Sequence, residues 1–263
     1  MNILRKKRSN KKKVSKKERV KQNLKKVLLS LSVIAICVFL LDLYRTVSEL
    51  EIMRVREIEI RGNNHLSEEV LLNITDLKRN NILKINLEDM RVKFLKSPWI
   101  KEAVIRRELP GTIRVHLVER IPEAIIDYSD SFYLVDGEGV IIERVKDRGR
   151  YPLPVISGVD LGESRLGEKS HSKGLSEGLT LVRFLGQKGL GIDDIELVAK
   201  NPDELTVNLS GRQIKVGSGN YQEKFNRLNE IDRELKRRGV LASSIDLRFT
   251  GKVIVIPMAG GRL

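Results

Sequence analysis

The apolar and polar positions divide this chain into a basic stretch, one continuous apolar run, and a long segment in which apolar residues recur at strand and helix spacing. The apolar run begins at Val27 and ends at Leu41, with no charge between them. A membrane-spanning helix needs about 20 apolar residues, and the run can be extended to Val47 if Lys26 and Asp42 lie at the headgroups. We therefore predict a transmembrane helix over residues 27–47.

A cleaved signal peptide is the alternative interpretation, because its hydrophobic core has a similar length. The basic stretch in front of the run is long for a signal peptide, and the nearest cleavage-like site, Thr46-Val47-Ser48, is weak. An uncleaved membrane anchor is therefore favoured.

Most of the formal net charge of +14 lies in front of the apolar run, in residues 1–26. The positive-inside rule places this tail in the cytoplasm and the chain from about residue 48 onward outside the membrane. The tail has no interleaved aromatic residues, so contact with the anionic lipid bilayer is expected and nucleic-acid binding is not.

Residues 54–122 are predicted to form the first exported domain, in the order strand, helix, helix, strand, strand. Ser67 and Asn86 are placed to cap the two helices, and Pro98 ends the second. Trp99 then supplies a large side chain that can seal one end of the core.

The two closing strands of this domain flank Leu109-Pro110-Gly111-Thr112. Proline at position i+1 and glycine at i+2 are typical of a type II turn, in which the glycine has positive φ. In the strand after the turn, Ile113, Val115 and Leu117 share one face and are predicted to be buried.

Residues 123–258 are predicted to form a second exported domain that is mainly β, followed by a C-terminal tail, residues 259–263. Two strands around a glycine turn are expected between residues 124 and 143. Later strands are predicted near 195–199, 205–209 and 213–216, and in two closing runs at 243–249 and 252–258.

Two helices are predicted in this second domain. The first covers residues 172–188. The second follows Asn220, which forms an N-x-x-E capping box with Glu223, and this helix ends at Gly239. The fold class is thus α+β: a single transmembrane helix, a β-α-α-β-β domain, and a second mixed β-domain with flanking helices.

Several short motifs occur in a fixed order in the first domain. They are Trp99-Ile100-Lys101, Ile105-Arg106-Arg107, Leu109-Pro110 with Gly111, Val115, and Glu119-Arg120-x-Pro122. With the basic tail and the single anchor, they resemble the FtsQ/DivIB family of single-pass bacterial cell-division proteins, whose first exported domain is a POTRA module of β-α-α-β-β order.

The resemblance implies a partner-binding site at the end of the second domain, where FtsQ-like proteins hold a heterodimer of FtsL with FtsB, or DivIC in Gram-positive bacteria. The corresponding residues of this chain are Arg248, Phe249, Lys252, Val253 and Ile254. Phe249 has no hydroxyl, so it cannot make the hydrogen bond of a phenol at the family's aromatic position. The closing run is also a candidate edge strand, to which a partner can add a strand of its own.

One motif suggests chemistry: Ser170-His171-Ser172-Lys173 matches S-x-x-K, the nucleophile motif of penicillin-binding proteins. The motifs that echo its companions, Lys215-Val216-Gly217 and Ser218-Gly219-Asn220, abut and stand in the wrong order. A wall-modifying acyl-enzyme using Ser170 and Lys173 is therefore the lesser alternative, and no catalytic residue is predicted.

No cofactor or metal is expected either. The chain has one cysteine, Cys37, within the apolar run, and its three histidines lack the spacing of a zinc site.

Together these features predict a bitopic scaffold of the bacterial divisome, with its N-terminus in the cytoplasm and its C-terminus outside, at the division septum. It would recruit or regulate FtsL-like and FtsB/DivIC-like proteins and other divisome components. Another POTRA-bearing membrane scaffold, serving secretion or sporulation, is the alternative.

Overall fold

A computed structural model describes residues 16–75, 80–189, 195–209 and 211–262 of the chain. The first fifteen residues of the basic tail lie outside these ranges. The α-helices are α1 Lys16–Glu49, α2 Glu68–Thr75, α3 Leu87–Leu95, α4 Lys173–Gln187 and α5 Tyr221–Arg238. The strands are β1 Glu57–Arg61, β2 Ile100–Glu108, β3 Thr112–Glu119, β4 Pro122–Tyr128, β5 Ser131–Asp136, β6 Ile141–Val145, β7 Val155–Ser157, β8 Glu196–Val198, β9 Thr206–Leu209, β10 Arg212–Lys215, β11 Val240–Asp246 and β12 Ile254–Arg262.

The contacts within the chain group the residues into two compact units. The first contains α1, the 3₁₀ turn Glu51–Met53, residues 80–85 and Arg107–Ile113. The second contains residues 58–75, 86–106 and the described residues from Arg114 onward.

Helix α1 contains the predicted membrane span. Its segment Asn23–Val47 has a mean hydropathy of 2.5 and is long and apolar enough to cross a bilayer. The hydroxyls of Ser30 and Ser32 donate hydrogen bonds to the carbonyls of Val27 and Leu29, each at 2.8 Å. Both polar groups are therefore satisfied within the helix, as a lipid environment requires.

The turn after β2 differs from the predicted type II turn. The Leu109–Pro110 peptide bond is cis, and Gly111 is not among the glycines with positive φ. Glycine is required at this position for space, because a Cβ on Gly111 would lie 2.8 Å from the carbonyl oxygen of Arg54. The carbonyl of Gly111 in turn accepts a hydrogen bond from the Arg56 N–H at 2.9 Å, which ties the turn to the chain before β1.

A three-stranded sheet of order β1-β3-β2 and the helices α2 and α3 follow the predicted β-α-α-β-β order. Both predicted caps are confirmed: Ser67 Oγ accepts from the Val70 N–H at 3.5 Å, and Asn86 Oδ1 accepts from the Glu88 N–H at 3.0 Å. The apolar face of β3 is buried as predicted, since Ile113 and Val115 are both fully inaccessible.

The second sheet has nine strands in the order β12-β11-β10-β9-β8-β7-β4-β5-β6. Three neighbouring pairs are parallel, β4 with β7, β7 with β8, and β10 with β11. Residues 124–143 contribute to three strands, so the prediction of two strands was wrong. The missed turn consists of Ser129 and Asp130, whose φ values of 49° and 57° reverse the chain without a glycine.

Helices α4 and α5 pack on one face of this sheet and enclose the largest core. Leu175, Leu179, Val182 and Leu185 of α4 are buried in it, as their spacing predicts. Close approach of α4 to the sheet depends on Gly174, where a Cβ would lie 2.1 Å from the carbonyl oxygen of Ala199.

The start of α5 is organised differently from the predicted capping box. Asn220 has left-handed φ and ψ of 49° and 35°, and its side chain makes no capping hydrogen bond. The buried Lys224 instead donates from Nζ to the carbonyls of Val216 and Ser218, at 2.8 and 2.7 Å. Burial lowers the pKa of this ammonium group. The loop before α5 is thus held by a lysine of the helix it precedes, and the end of α5 at Gly239 is as predicted.

Candidate partner-binding edge

Strand β12 lies at one edge of the nine-stranded sheet and pairs with β11 alone among the described strands. The register is antiparallel, with Ile254 opposite Asp246 and Ile256 opposite Ser244. The strand reaches Arg262 and therefore includes most of the residues that were assigned to a C-terminal tail. Its other side presents backbone groups that can accept a strand from a partner.

The two faces of β12 differ in burial. Ile254, Ile256 and Met258 are on the outward face and are 45%, 53% and 44% exposed. Val253 and Val255 pack against the core instead. We call the three outward residues the β12 stripe. An apolar stripe on an edge strand is a surface that soluble monomers usually avoid.

The predicted binding residues are divided by this arrangement. Ile254 belongs to the β12 stripe. Val253 packs against the core, and both Val253 and Lys252 precede the strand. Ile256 and Met258 were missed, because in "KVIVIPM" both faces of the strand are apolar and the alternation gives no indication of which face is outward.

Phe249 lies between β11 and β12 and is 40% exposed. Its ring has two cations over it, the Lys252 ammonium at 5.2 Å and the Arg248 guanidinium at 6.0 Å from the centroid. The carbonyl of Phe249 accepts a hydrogen bond from Arg227 at 2.9 Å, which fixes the backbone of this connection to α5. An exposed aromatic ring with cations around it suits a partner that has both apolar and acidic groups.

Arg248 is oriented by its neighbour Asp246. The guanidinium donates to both carboxylate oxygens, with Nε–Oδ1 at 3.0 Å and Nη2–Oδ2 at 2.8 Å. Burial alone would raise the pKa of Asp246, but the hydrogen bonds from Arg248 outweigh it and hold that pKa below its usual value. The same contact raises the pKa of Arg248. The planar, two-point contact keeps the guanidinium beside Phe249.

The motif residues of the first domain have structural contacts. Arg107 donates to the carbonyls of Ile82 and Ile85, at 2.9 Å for Ile82, and so holds the segment between α2 and α3. Glu119 accepts three backbone hydrogen bonds, from the N–H groups of Asn64, His65 and Leu66, at 2.7 to 2.9 Å. This carboxylate therefore orders the loop between β1 and α2.

Trp99 has a different position from the one predicted. Its ring does not seal the core of the first domain but packs with Ile125, Leu134 and Ile142 of strands β4 to β6. The indole Nε1 donates to Glu143 at 3.0 Å, and the imidazole of His65 is stacked on the ring with centroids 3.6 Å apart.

Arg120 makes the second contact to these strands. Its Nη1 lies 2.5 Å from Oδ2 of Asp136, and the two side chains are only 14% and 7% exposed. Asp136 Oδ1 meanwhile accepts from the N–H groups of Glu138 and Val140, at 2.9 and 2.8 Å. Pro122 follows as the first residue of β4, opposite Asp136. Trp99 and Arg120 thus join the end of the three-stranded domain to the start of the nine-stranded sheet.

Comparison with known proteins agrees with this architecture. The family model described as "POTRA domain, FtsQ-type" matches residues 53–120, and that described as "Cell division protein FtsQ/DivIB, C-terminal" matches residues 124–248. A cell division protein FtsQ from Syntrophotalea carbinolica is 32% identical over 212 residues, which cover 79% of this chain and 75% of that protein. The chain belongs to the FtsQ/DivIB family.

Two further relatives match over a similar share of this chain. A cell division protein FtsQ from Geobacter sp. strain M21 is 27% identical over 219 residues, 81% of this chain and 80% of the relative. A cell division protein DivIB from Clostridium tetani is 22% identical over 207 residues, 76% of this chain and 78% of the relative. The matches thus extend over most of this chain and most of each relative.

The S-x-x-K sequence has no nucleophile geometry in this FtsQ/DivIB chain. Ser170 precedes α4 and its cap Ser172, so Ser170 and Lys173 do not lie one turn apart on a helix. The Ser170 side chain is buried, and its Oγ accepts a hydrogen bond from the Ser172 N–H at 3.2 Å. The motif therefore organises the turn that begins α4.

Proposed function

We propose that this FtsQ/DivIB chain is a single-pass scaffold of the division septum that binds FtsL-like and FtsB/DivIC-like proteins by accepting a strand at β12. The observation that carries the proposal is the combination of an edge strand with the outward β12 stripe. Strand addition gives affinity through main-chain hydrogen bonds and specificity through side chains at alternate positions. No catalytic step is part of the proposal.

Phe249 and Arg248 extend this surface at the N-terminal end of β12. The β12 stripe gives the partner an apolar row to cover, and the cations around Phe249 favour acidic side chains next to that row. The expected partner segment is therefore a β-strand with apolar residues at alternate positions and at least one carboxylate at the end that meets Arg248.

Replacing Ile256 by glutamate is expected to reduce co-purification of the FtsL-like and FtsB/DivIC-like pair about tenfold or more, since a charge is then buried against the added strand. Ile256 is 53% exposed, so the free protein loses little packing. Val253→Glu is a poorer test, because Val253 packs against the core and its loss also destabilises the fold.

The control for this test is Val92→Glu, at a 47% exposed position on α3. Both variants should give the same circular dichroism spectrum and the same membrane recovery as the native protein. Undiminished co-purification with Ile256→Glu would exclude β12 as the binding strand, and equal loss with Val92→Glu would show that the effect is not specific to β12.

For topology, we propose an N-terminus in the cytoplasm and both domains outside, supported by the basic tail before the span. In a Cys37→Ser background, a membrane-impermeant maleimide added to intact cells should label Ser176→Cys and not Ser9→Cys. The reverse labelling pattern would overturn the orientation, and labelling of neither site until the cells are opened would place both ends in the cytoplasm.

A further inference from the structure

A second exposed apolar surface lies where β3 ends and β4 begins, away from the β12 stripe. A cavity of about 630 Å³ opens there, and its walls include His65, Trp99, Ile121, Tyr151, Pro152 and Leu153. Ile121 is 78% exposed, although it is a large apolar residue. We call this cavity the junction groove.

A second cavity lies against the same segment of chain, residues 151–153. That cavity has a volume of about 320 Å³, shares the wall formed by Tyr151, Pro152 and Leu153, and is also lined by Arg148 and Glu196. Two adjoining cavities along one wall give an elongated site, which suits an extended peptide better than a compact small molecule.

Charge distinguishes the inside of the junction groove from its rim. Inside, the Glu119 carboxylate is satisfied by three N–H groups and Arg120 is paired with Asp136. We call the exposed segment from Lys146 to Arg150 the rim, because it runs directly into Tyr151 and its Arg148 and Gly149 line the second cavity. Its three cations face one acid, Asp147, whose carboxylate already accepts the Gly149 N–H at 2.9 Å.

Two rim cations are free to meet a partner. In the described part of the chain, neither Lys146 nor Arg150 is within ion-pair distance of a carboxylate, and Arg148 has only the exposed Glu196 at 3.4 Å. An exposed pair of that kind contributes little and is easily exchanged. The groove therefore presents an apolar channel with a positive end.

Trp99 offers no stacking platform for a sugar ring. Sugar rings bind by stacking on an open aromatic face, but the face of Trp99 is covered by the parallel ring of His65, and Trp99 is only 8% exposed. The apolar walls instead fit branched or aromatic side chains of a polypeptide.

We propose that the junction groove is a second docking site, for an extended peptide segment that carries one or two bulky apolar residues next to acidic residues. The apolar side chains occupy the channel beside Ile121, and the carboxylates lie at Lys146 and Arg150. Such a segment can be bound while β12 is occupied, so the chain can hold two partners at once.

The test uses the full-length protein in detergent micelles and three fluorescein-labelled ten-residue peptides. The first has two consecutive leucines with four glutamates on each side, the second replaces the glutamates by lysines, and the third replaces the leucines by alanines. Fluorescence anisotropy should give binding of the first peptide about tenfold or more tighter than binding of either other peptide.

Ile121→Glu and Arg150→Glu should each weaken binding of the first peptide about tenfold or more, whereas Val70→Glu, at a 50% exposed position on α2, should not. Both groove variants should retain co-purification of the β12 partners, which separates this proposal from the proposed function. Equal binding of the lysine peptide, or full binding by Ile121→Glu, overturns it. So does an Ile121-dependent dimer of the chain that excludes the peptide, because the occupant is then a second copy.

Discussion

Gly174→Ala is expected to destabilise the nine-stranded domain by about 3 kcal/mol, although alanine favours a helix by about 1 kcal/mol over glycine. The added Cβ would lie 2.1 Å from the carbonyl oxygen of Ala199 and 3.1 Å from the carbonyl carbon. Because the obstacle is backbone of the chain that follows β8, it cannot turn aside as a flexible side chain can. Helix α4 must move away from the sheet, and the buried side chains behind it lose contact.

Urea unfolding of the full-length protein in micelles, followed by circular dichroism, measures this effect. Ser176→Ala is the matched control, since it introduces the same residue on the exposed side of the same helix and should change stability by less than about 0.5 kcal/mol. A Gly174→Ala midpoint equal to or above that of the native protein would mean that α4 does not approach the sheet this closely.

Sequence periodicity was sufficient where an element has one buried face. Helix α4 was predicted to within a residue at each end, because Leu175, Leu179, Val182 and Leu185 repeat at helix spacing and Gly189 follows. The alternation in β3 worked for the same reason, since one side of that strand faces the core and the other faces water.

The errors have different physical causes, and one of them involves a residue distant in sequence. Asn220 and Glu223 have the spacing of a capping box, but Asn220 is left-handed and makes no capping hydrogen bond, and Lys224 donates to carbonyls of the preceding loop. Gly111 was attributed to positive φ, yet it is needed because Arg54 approaches it. The turn at Ser129 and Asp130 has no glycine or proline, so nothing local separated β4 from β5.

The candidate site was predicted in part. The resemblance identified Arg248, Phe249 and Ile254, and the structure puts the first two beside β12 and the third on its outward stripe. The inward position of Val253 and the outward positions of Ile256 and Met258 depend on the register with β11, which a strand apolar on both faces does not reveal. The carboxylate that pairs with Arg120 was missed as well, because Asp136 lies beside the predicted glycine turn and nothing in the sequence relates it to Arg120.

Asp136→Ala is expected to destabilise the protein by roughly 3–5 kcal/mol, the usual result of removing one partner from a buried ion pair. Two losses contribute: the guanidinium of Arg120, 14% exposed, keeps only the exposed Glu138 carboxylate, at 3.6 Å, and the N–H groups of Glu138 and Val140 lose their acceptor. The variant should unfold at lower urea than the native protein, with the same slope if unfolding remains two-state.

Asp136→Asn separates the two losses. The amide keeps an oxygen at Oδ1 for the two N–H groups but gives Arg120 no negative charge, so its effect should be about half that of Asp136→Ala. Asp127→Asn, the same change at an exposed position on β4, should be nearly neutral. Equal midpoints for Asp136→Asn and Asp136→Ala would assign the whole effect to the ion pair with Arg120. A native-like midpoint for both would mean that Asp136 is solvated and that Arg120 does not depend on it. One of the two contacts that join the three-stranded domain to the nine-stranded sheet would then be lost.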